Sequence, residues 1–158
     1  MRISYLANLL GLAMVVGAAT LLVARLDSKP IPNLARGALV TASSRSPSSP
    51  DPALLVDGDP FHLGVQTEWQ QYPWVQVDLG QETLIHQIIV FNRIDCCTDR
   101  ADPLALQLSQ DGERFIEVAR RTGQFDKWAA TMALHSARFI RAQVPKEGCL
   151  HLTEIEVH

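Results

Sequence analysis

The 158-residue sequence predicts an all-β protein: a jelly-roll β-sandwich of about eight strands over residues 33–158, preceded by one N-terminal transmembrane helix. Three observations predict it. Short runs of alternating apolar and polar residues recur between turn signals, the pattern of half-buried strands. Within residues 33–158 only residues 52–56 offer a helical turn. Residues 3–24 form a run of 22 residues without a charge, 17 of them apolar.

Residues 1–24 read as a signal anchor. As a helix rising 1.5 Å per residue the uncharged run reaches about 33 Å, enough to cross a hydrocarbon core of roughly 30 Å. A cleaved signal is the alternative, because Val16-Gly17-Ala18 resembles a cleavage site, although Leu21-Leu22-Val23 carries the apolar run past it. Arg2 on one side and Arg25 and Lys29 on the other leave the orientation open. Residues 25–32 are a short linker, in which Pro30 and Pro32 preclude a continued helix.

Strands are expected at residues 38–42, 75–79, 84–91, 104–108, 114–119, 137–144 and 150–157. Val75, Val77 and Leu79 alternate with Gln76 and Asp78, so one face of that strand is buried. Residues 84–91 become apolar on both phases, which suits a central strand. Asp111-Gly112 is a hairpin signal between two of the runs. The last run changes phase between Leu152 and Ile155, which predicts a bulge. Residues 43–52, rich in Ser and Pro, and Asp57-Gly58-Asp59-Pro60 read as surface loops.

Residues 33–158 carry 11 basic and 16 acidic side chains, a net charge of −5, and 54 of the 126 are apolar. That balance excludes a basic nucleic-acid binder and disfavours anionic lipid as a ligand. No Gly-x-Ser-x-Gly elbow, His-Glu-x-x-His or phosphate-binding loop is present, so an enzyme is not expected.

The order of local signatures is more specific than composition. Asn33-Leu34-Ala35-Arg36-Gly37 opens the domain and Leu55-Val56-Asp57-Gly58 follows the Ser/Pro loop. Then come Pro73-Trp74-Val75-Gln76-Val77-Asp78-Leu79-Gly80, Asn92-Arg93-Ile94-Asp95-Cys96-Cys97, Leu108-Ser109-Gln110-Asp111-Gly112 and Leu150-His151-Leu152-Thr153-Glu154-Ile155-Glu156-Val157. The series resembles the discoidin domain, also called the coagulation factor V/VIII C-type domain, a family that includes carbohydrate-binding module family 32 and the fucolectins. The resemblance runs from residue 33 to residue 158 and implies a jelly roll whose loops bind ligand at one end.

Arg93-x-Asp95-x-x-x-x-Arg100 is similar to the fucolectin sugar-binding motif, in which two arginines grip the sugar and adjacent cysteines touch it. A guanidinium offers five donors in a rigid fork and keeps its charge, which suits neighbouring sugar oxygens. The alternative is that Arg93 and Arg100 make surface ion pairs with Asp95, Asp99 or Asp102. The resemblance further implies a vicinal disulfide between Cys96 and Cys97 as an apolar floor; two free thiols are the alternative, and the pairing of Cys149 is open. If the bond forms, the domain lies on the oxidising, extracytoplasmic side of the membrane, in a bacterial periplasm or at a cell surface. Were the leader cleaved, the domain would be secreted.

Two parts of the fucolectin pattern are altered. The site histidine expected before Pro73-Trp74 falls on Gln66 by an ungapped count and on Glu68 with a short gap, while His62 needs a different loop path. Trp69 is a candidate stacking platform beside Glu68. The structural calcium common in the family would draw on Asp57, Asp59 and Glu154, but Phe61 stands where a second loop acid is expected. No cofactor is required. The expected function is thus a membrane-anchored, carbohydrate-binding module that fills the chain after its anchor. The alternatives are a protein-interaction module using the same loops, a homo-oligomer that gains avidity, and binding to anionic lipid.

Overall fold

The computed structural model of the protein describes residues 31–158. The helix expected at residues 1–24 and most of the linker lie outside the described residues. Among the described residues no helix is long and apolar enough to cross a membrane.

Nine strands follow in order: β1 (Leu39–Ala42), β2 (Val65–Gln66), β3 (Gln70–Gln71), β4 (Trp74–Asn92), β5 (Leu104–Ser109), β6 (Ile116–Arg121), β7 (Lys127–Gln143), β8 (Glu147–Gly148) and β9 (His151–Val157). Two short 3-10 turns, Pro52–Val56 and Thr98–Ala101, complete the elements. All strand pairs are antiparallel, in the order β2-β9-β4-β7-β5-β6 with β1 also on β4; β3 and β8 pair separately.

Two long strands serve both layers of the sandwich. Residues 75–78 of β4 pair with β1, and residues 74–78 pair with residues 139–143 of β7, which also carry β5. Residues 87–91 of β4 pair with residues 127–131 of β7, and residues 88–92 pair with β9. The β4–β7 ladder slips between Asp78 and Thr83 and again between Ile85 and Gln87, so both strands pass from one layer to the other. The core lies between the layers. Val75, Val77, Ile85, Ile88 and Val90 of β4 meet Leu104 and Leu106 of β5, Ile140 of β7, and Leu152, Ile155 and Val157 of β9, all with no exposed surface. Burying side chains of this size stabilises the fold by about 1.5–3 kcal/mol each.

The structure joins what the sequence reads as two strands, 75–79 and 84–91, into one. Gly80 takes a positive φ of 78° and receives the Asp78 carboxylate on its N–H, so the chain kinks without ending the strand. The first half of β7 is a further difference, because its alanines mask a period-two stripe of Trp128, Ala130 and Met132 on the core. β6 starts two residues late, since the Asp111 carboxylate takes the N–H groups of Glu113 and Arg114 into the turn.

The expected bulge is in β9. Phe91 pairs with Glu154 and Asn92 with Leu152, so Thr153 has no register partner and Thr153 and Glu154 are both buried. Gly64 lies against this bulge: a Cβ there would sit 2.6 Å from the Thr153 carbonyl oxygen, so only glycine lets the loop approach. The start of the domain is tied to its end, because Asn33 Oδ1 accepts the Ala35 and Val157 N–H groups.

Candidate functional site

The site is organised where β4 ends. Asn92 is buried, and its Nδ2 donates to the carbonyls of Thr98 and Phe125 at 2.9 and 3.0 Å while its Oδ1 accepts the Arg93 N–H at 2.9 Å. One amide thus anchors both ends of the loop 93–97. Cys97 closes that loop in the left-handed conformation (φ 60°, ψ 35°) and opens the 3-10 turn that carries Arg100.

The Arg93 guanidinium is held on two sides. Nε and Nη2 donate to the two Asp95 oxygens at 2.5 and 2.8 Å, and Nη1 donates to Gln66 Oε1 at 3.4 Å. The fork–fork pair holds the exposed Asp95 carboxyl down at about 2 and raises Arg93. Of five guanidinium N–H groups, two remain for a ligand.

Arg93 and Asp95 line a cleft of about 220 Å³ together with Pro60, Phe61, His62, Leu63, Ile94 and Thr153. Phe61 is 89% exposed and Ile94 65%, so two apolar side chains stand on the rim in water. His62 Nε2 lies 3.1 Å from Asp57 Oδ2, and its Nδ1 is buried without a partner. Arg100 donates its backbone N–H to the Cys97 carbonyl at 3.1 Å. Burial, with the Arg100 and Arg93 charges, holds the buried His151 imidazole at the start of β9 down at about 4.

Several expected site residues stand elsewhere. Glu68 and Trp69 do not line the cleft: both are exposed on the segment after β2, and Trp69 Nε1 donates to Glu147 beside β8 at 3.3 Å. Cys96 and Cys97 are half-buried free thiols, so the bond implied by the resemblance is not made in this structure. Neighbouring Cα atoms are about 3.8 Å apart, short of the usual disulfide range of roughly 4.4–6.8 Å. The contact with Cys97 pushes the Cys96 thiol up.

Nor is the expected calcium set assembled. Asp57 caps its own turn, accepting the Asp59 N–H at 2.9 Å, and its other oxygen faces His62, with Asp59 Oδ2 3.8 Å from the same nitrogen. Glu154 Oε1 accepts the Gly58 N–H at 3.1 Å and Oε2 has no partner. Burial, with the Asp57 and Glu156 charges, pushes the Glu154 carboxyl up to about 8. Calcium asks for about 6–8 oxygens. Among the described residues no group of three or more His, Cys, Asp and Glu is arranged to hold a metal ion. Asp57 and Asp59 face His62 and their own turn while Glu154 faces Gly58, so the three expected ligands are not gathered around one point.

Phe61 and Ile94 on the cleft rim, and the Asn92 anchor outside its lining, have no site role in the sequence reading. Phe61 registers in the sequence only as a missing acid. A larger groove, about 320 Å³, lies beside the β5–β6 turn and is lined by Leu108, Asp111, Arg114, Ile116 and His135 among others; it holds none of Arg93, Asp95, Cys96, Cys97 and Arg100.

Comparison with known proteins gives the family and the fold. The F5/8 type C domain profile matches residues 40–155. The chain belongs to the F5/8 type C domain family. Fucolectin-6 of Anguilla japonica is 29% identical over 100 residues, which take in 54% of this chain and 48% of the fucolectin. The chain thus spans about half the length of that curated relative. A fucose binding module of Streptococcus pneumoniae superposes with a TM-score of 0.71 at 25% identity, over 80% of this chain and 94% of the module. The lectin domain of lectinolysin, solved with Lewis B antigen, gives 0.71 at 24% identity, over 80% of this chain and 96% of that one. The chain shares the fold of these lectin and fucose-binding modules.

Proposed function

We propose that the domain binds a saccharide in the cleft between residues 60–63 and 93–95. The observation that carries this is Arg93: pinned by Asp95 and Gln66, it keeps two N–H donors at a cleft rimmed by exposed Phe61 and Ile94. Fixed donors beside an exposed aromatic ring are what a sugar needs, because its hydroxyls take hydrogen bonds and its C–H faces stack. The carbohydrate ligands named for the fucose binding module and the lectinolysin domain support the same ligand class. In this reading Arg100, seven residues after Arg93, is the second cation, and Phe61 takes the stacking role expected of Trp69.

The reading includes oxidation of Cys96 and Cys97 to a vicinal disulfide in an oxidising compartment, and an anchored, extracytoplasmic domain supported by the apolar leader at residues 3–24. The test is a glycan array probed with the full chain, with Arg93→Ala and Phe61→Ala as controls. Signal on defined glycans that both substitutions abolish is expected. A silent array, or signal indifferent to both, overturns the proposal.

A further inference from the structure

Strand β9 joins two poles of the domain. At its start His151 and Leu152 pair with β2, whose Gln66 accepts from Arg93, and Thr153 lines the cleft. At its end the chain enters the domain. The Val157 N–H donates to Asn33 Oδ1 at 3.0 Å, and its carbonyl accepts the Leu34 N–H at 2.8 Å. His158 Nδ1 lies 3.2 Å from the Pro32 carbonyl oxygen. The 7 residues of β9, rising about 3.3 Å each, set the cleft and this point of entry roughly 20 Å apart. The linker thus reaches the domain at the pole opposite the cleft.

Both poles expose large apolar side chains, but of different kinds. Toward the cleft pole stand rings that can stack on a sugar, Phe61 on the rim and Trp69 and Tyr72 on the segment after β2. At the linker pole they are aliphatic: Ile31, Leu84, Ile116 and Leu134 are between 58% and 67% exposed. Strand register gathers them. Leu84 pairs with Ser136, and Leu134 lies between Thr131 and His135 in a stretch of β7 without register partners in β4. His135 and Ser136 line the larger groove together with Ile116. Just beyond Leu84, His86 and Gln87 donate their N–H groups to the His158 carbonyl beside the linker. None of the four aliphatic side chains belongs to the core, and none offers a flat face to a sugar ring.

The chain that enters here says what covers them. Residues 3–24 are the uncharged apolar run, and residues 25–32, fully extended, span no more than about 29 Å. A bilayer that holds the run is therefore within reach of this pole. The charges suit a zwitterionic surface: Asp111 pairs with Arg114 and Asp78 with Arg138, while the exposed Glu113 disfavours an anionic one.

We propose that the linker pole rests on the bilayer that carries the anchor, with Leu84 and Leu134 entering its interface, so that the cleft faces away from the membrane. This rests on the readings of residues 3–24 as an anchor and of the cleft as a saccharide site. It makes the module a reader of glycans presented from outside, not of headgroups in its own membrane.

The full chain is reconstituted in phosphatidylcholine vesicles with a photoreactive benzophenone amino acid at one position at a time. Leu84→benzoylphenylalanine, Leu134→benzoylphenylalanine and Ile116→benzoylphenylalanine are expected to give lipid adducts; Phe61→benzoylphenylalanine and Ile94→benzoylphenylalanine give none. A tether alone would let the domain tumble, so the probe at Ile116 is repeated with Leu84→Asp and Leu134→Asp. Its lipid adduct should then drop at least about fivefold, because charged side chains leave the interface. Adducts at both poles, at the cleft pole alone or at neither overturn the proposal, as does an Ile116 adduct indifferent to the two aspartates. Adducts to a second chain or to residues 1–24 assign the pole to a copy or to the leader and overturn it equally. If alkaline carbonate strips the chain from the vesicles, the anchor reading fails and the proposal falls with it. The saccharide reading is scored apart, by capture of the vesicles on beads bearing the strongest array glycan and loss of capture in Arg93→Ala. If the array is silent that reading fails alone, and the adduct pattern still decides which pole meets the lipid.

Discussion

Arg93 and Asp95 are joined by two parallel hydrogen bonds, Nε and Nη2 each meeting a separate carboxylate oxygen at 2.5 and 2.8 Å. The pair is exposed on the Asp95 side and half-buried on the Arg93 side, so its value lies in orientation rather than in stability. Asp95→Asn keeps the shape and removes the charge. It should weaken glycan binding by about tenfold, the scale of one charged hydrogen bond, while the melting temperature stays unchanged. Because Asp95 is depressed to about 2 from an unfolded value near 3.8, the pair is intact above pH 4 and is lost only as pH falls toward 2. A binding titration and a thermal melt on the same variant check both halves.

Asn92 fixes the loop from below with two donated bonds and one accepted bond. Replacing it by Leu leaves the Thr98 and Phe125 carbonyls and the Arg93 N–H without that partner. At about 1–3 kcal/mol for a group left unsatisfied in the interior, Asn92→Leu should lower stability by about 2–4 kcal/mol in chemical denaturation. Glycan binding should fall even at temperatures where the variant is folded.

Glu154 and calcium are tested together. Its carboxyl is raised to about 8 from an unfolded value near 4.5, so its favourable contribution is full below pH 4.5 and is lost as pH rises through 8. Glu154→Gln should melt with the wild type near pH 4.5 and a few degrees above it at pH 8. Calcium or a chelator should leave both unchanged. A calcium-induced rise that the Gln variant loses would show that an ion displaces His62 from Asp57.

For the cysteines, intact mass of chain matured in an oxidising compartment should be two hydrogen atoms lighter than the reduced form, with Cys96 and Cys97 linked in the peptide map. Alkylation of all three cysteines without reductant would contradict this.

Much of the fold was legible because strand alternation is local. Val75 and Val77 point inward as their spacing requires, and the phase change in the last run is the Thr153 bulge. The first half of β7 was not legible, because its alanines favour helix and only the packing of Trp128, Ala130 and Met132 on the core makes it a strand. In the site, Arg93 and Asp95 were legible because they are two residues apart. Phe61 reaches the cleft from a loop about 30 residues before Arg93 in sequence, and no local pattern carries that meeting. The place of Trp69 was not legible for the same reason, since Glu147, which takes its indole N–H, lies 78 residues away.

The most direct measurement is the affinity of the full chain for its strongest array glycan, compared with Arg93→Ala and Arg100→Ala. Each arginine is expected to cost at least about tenfold, or 1.4 kcal/mol, with the fold unchanged by thermal melt. Wild-type affinity in both variants would contradict a saccharide site built on this arginine pair.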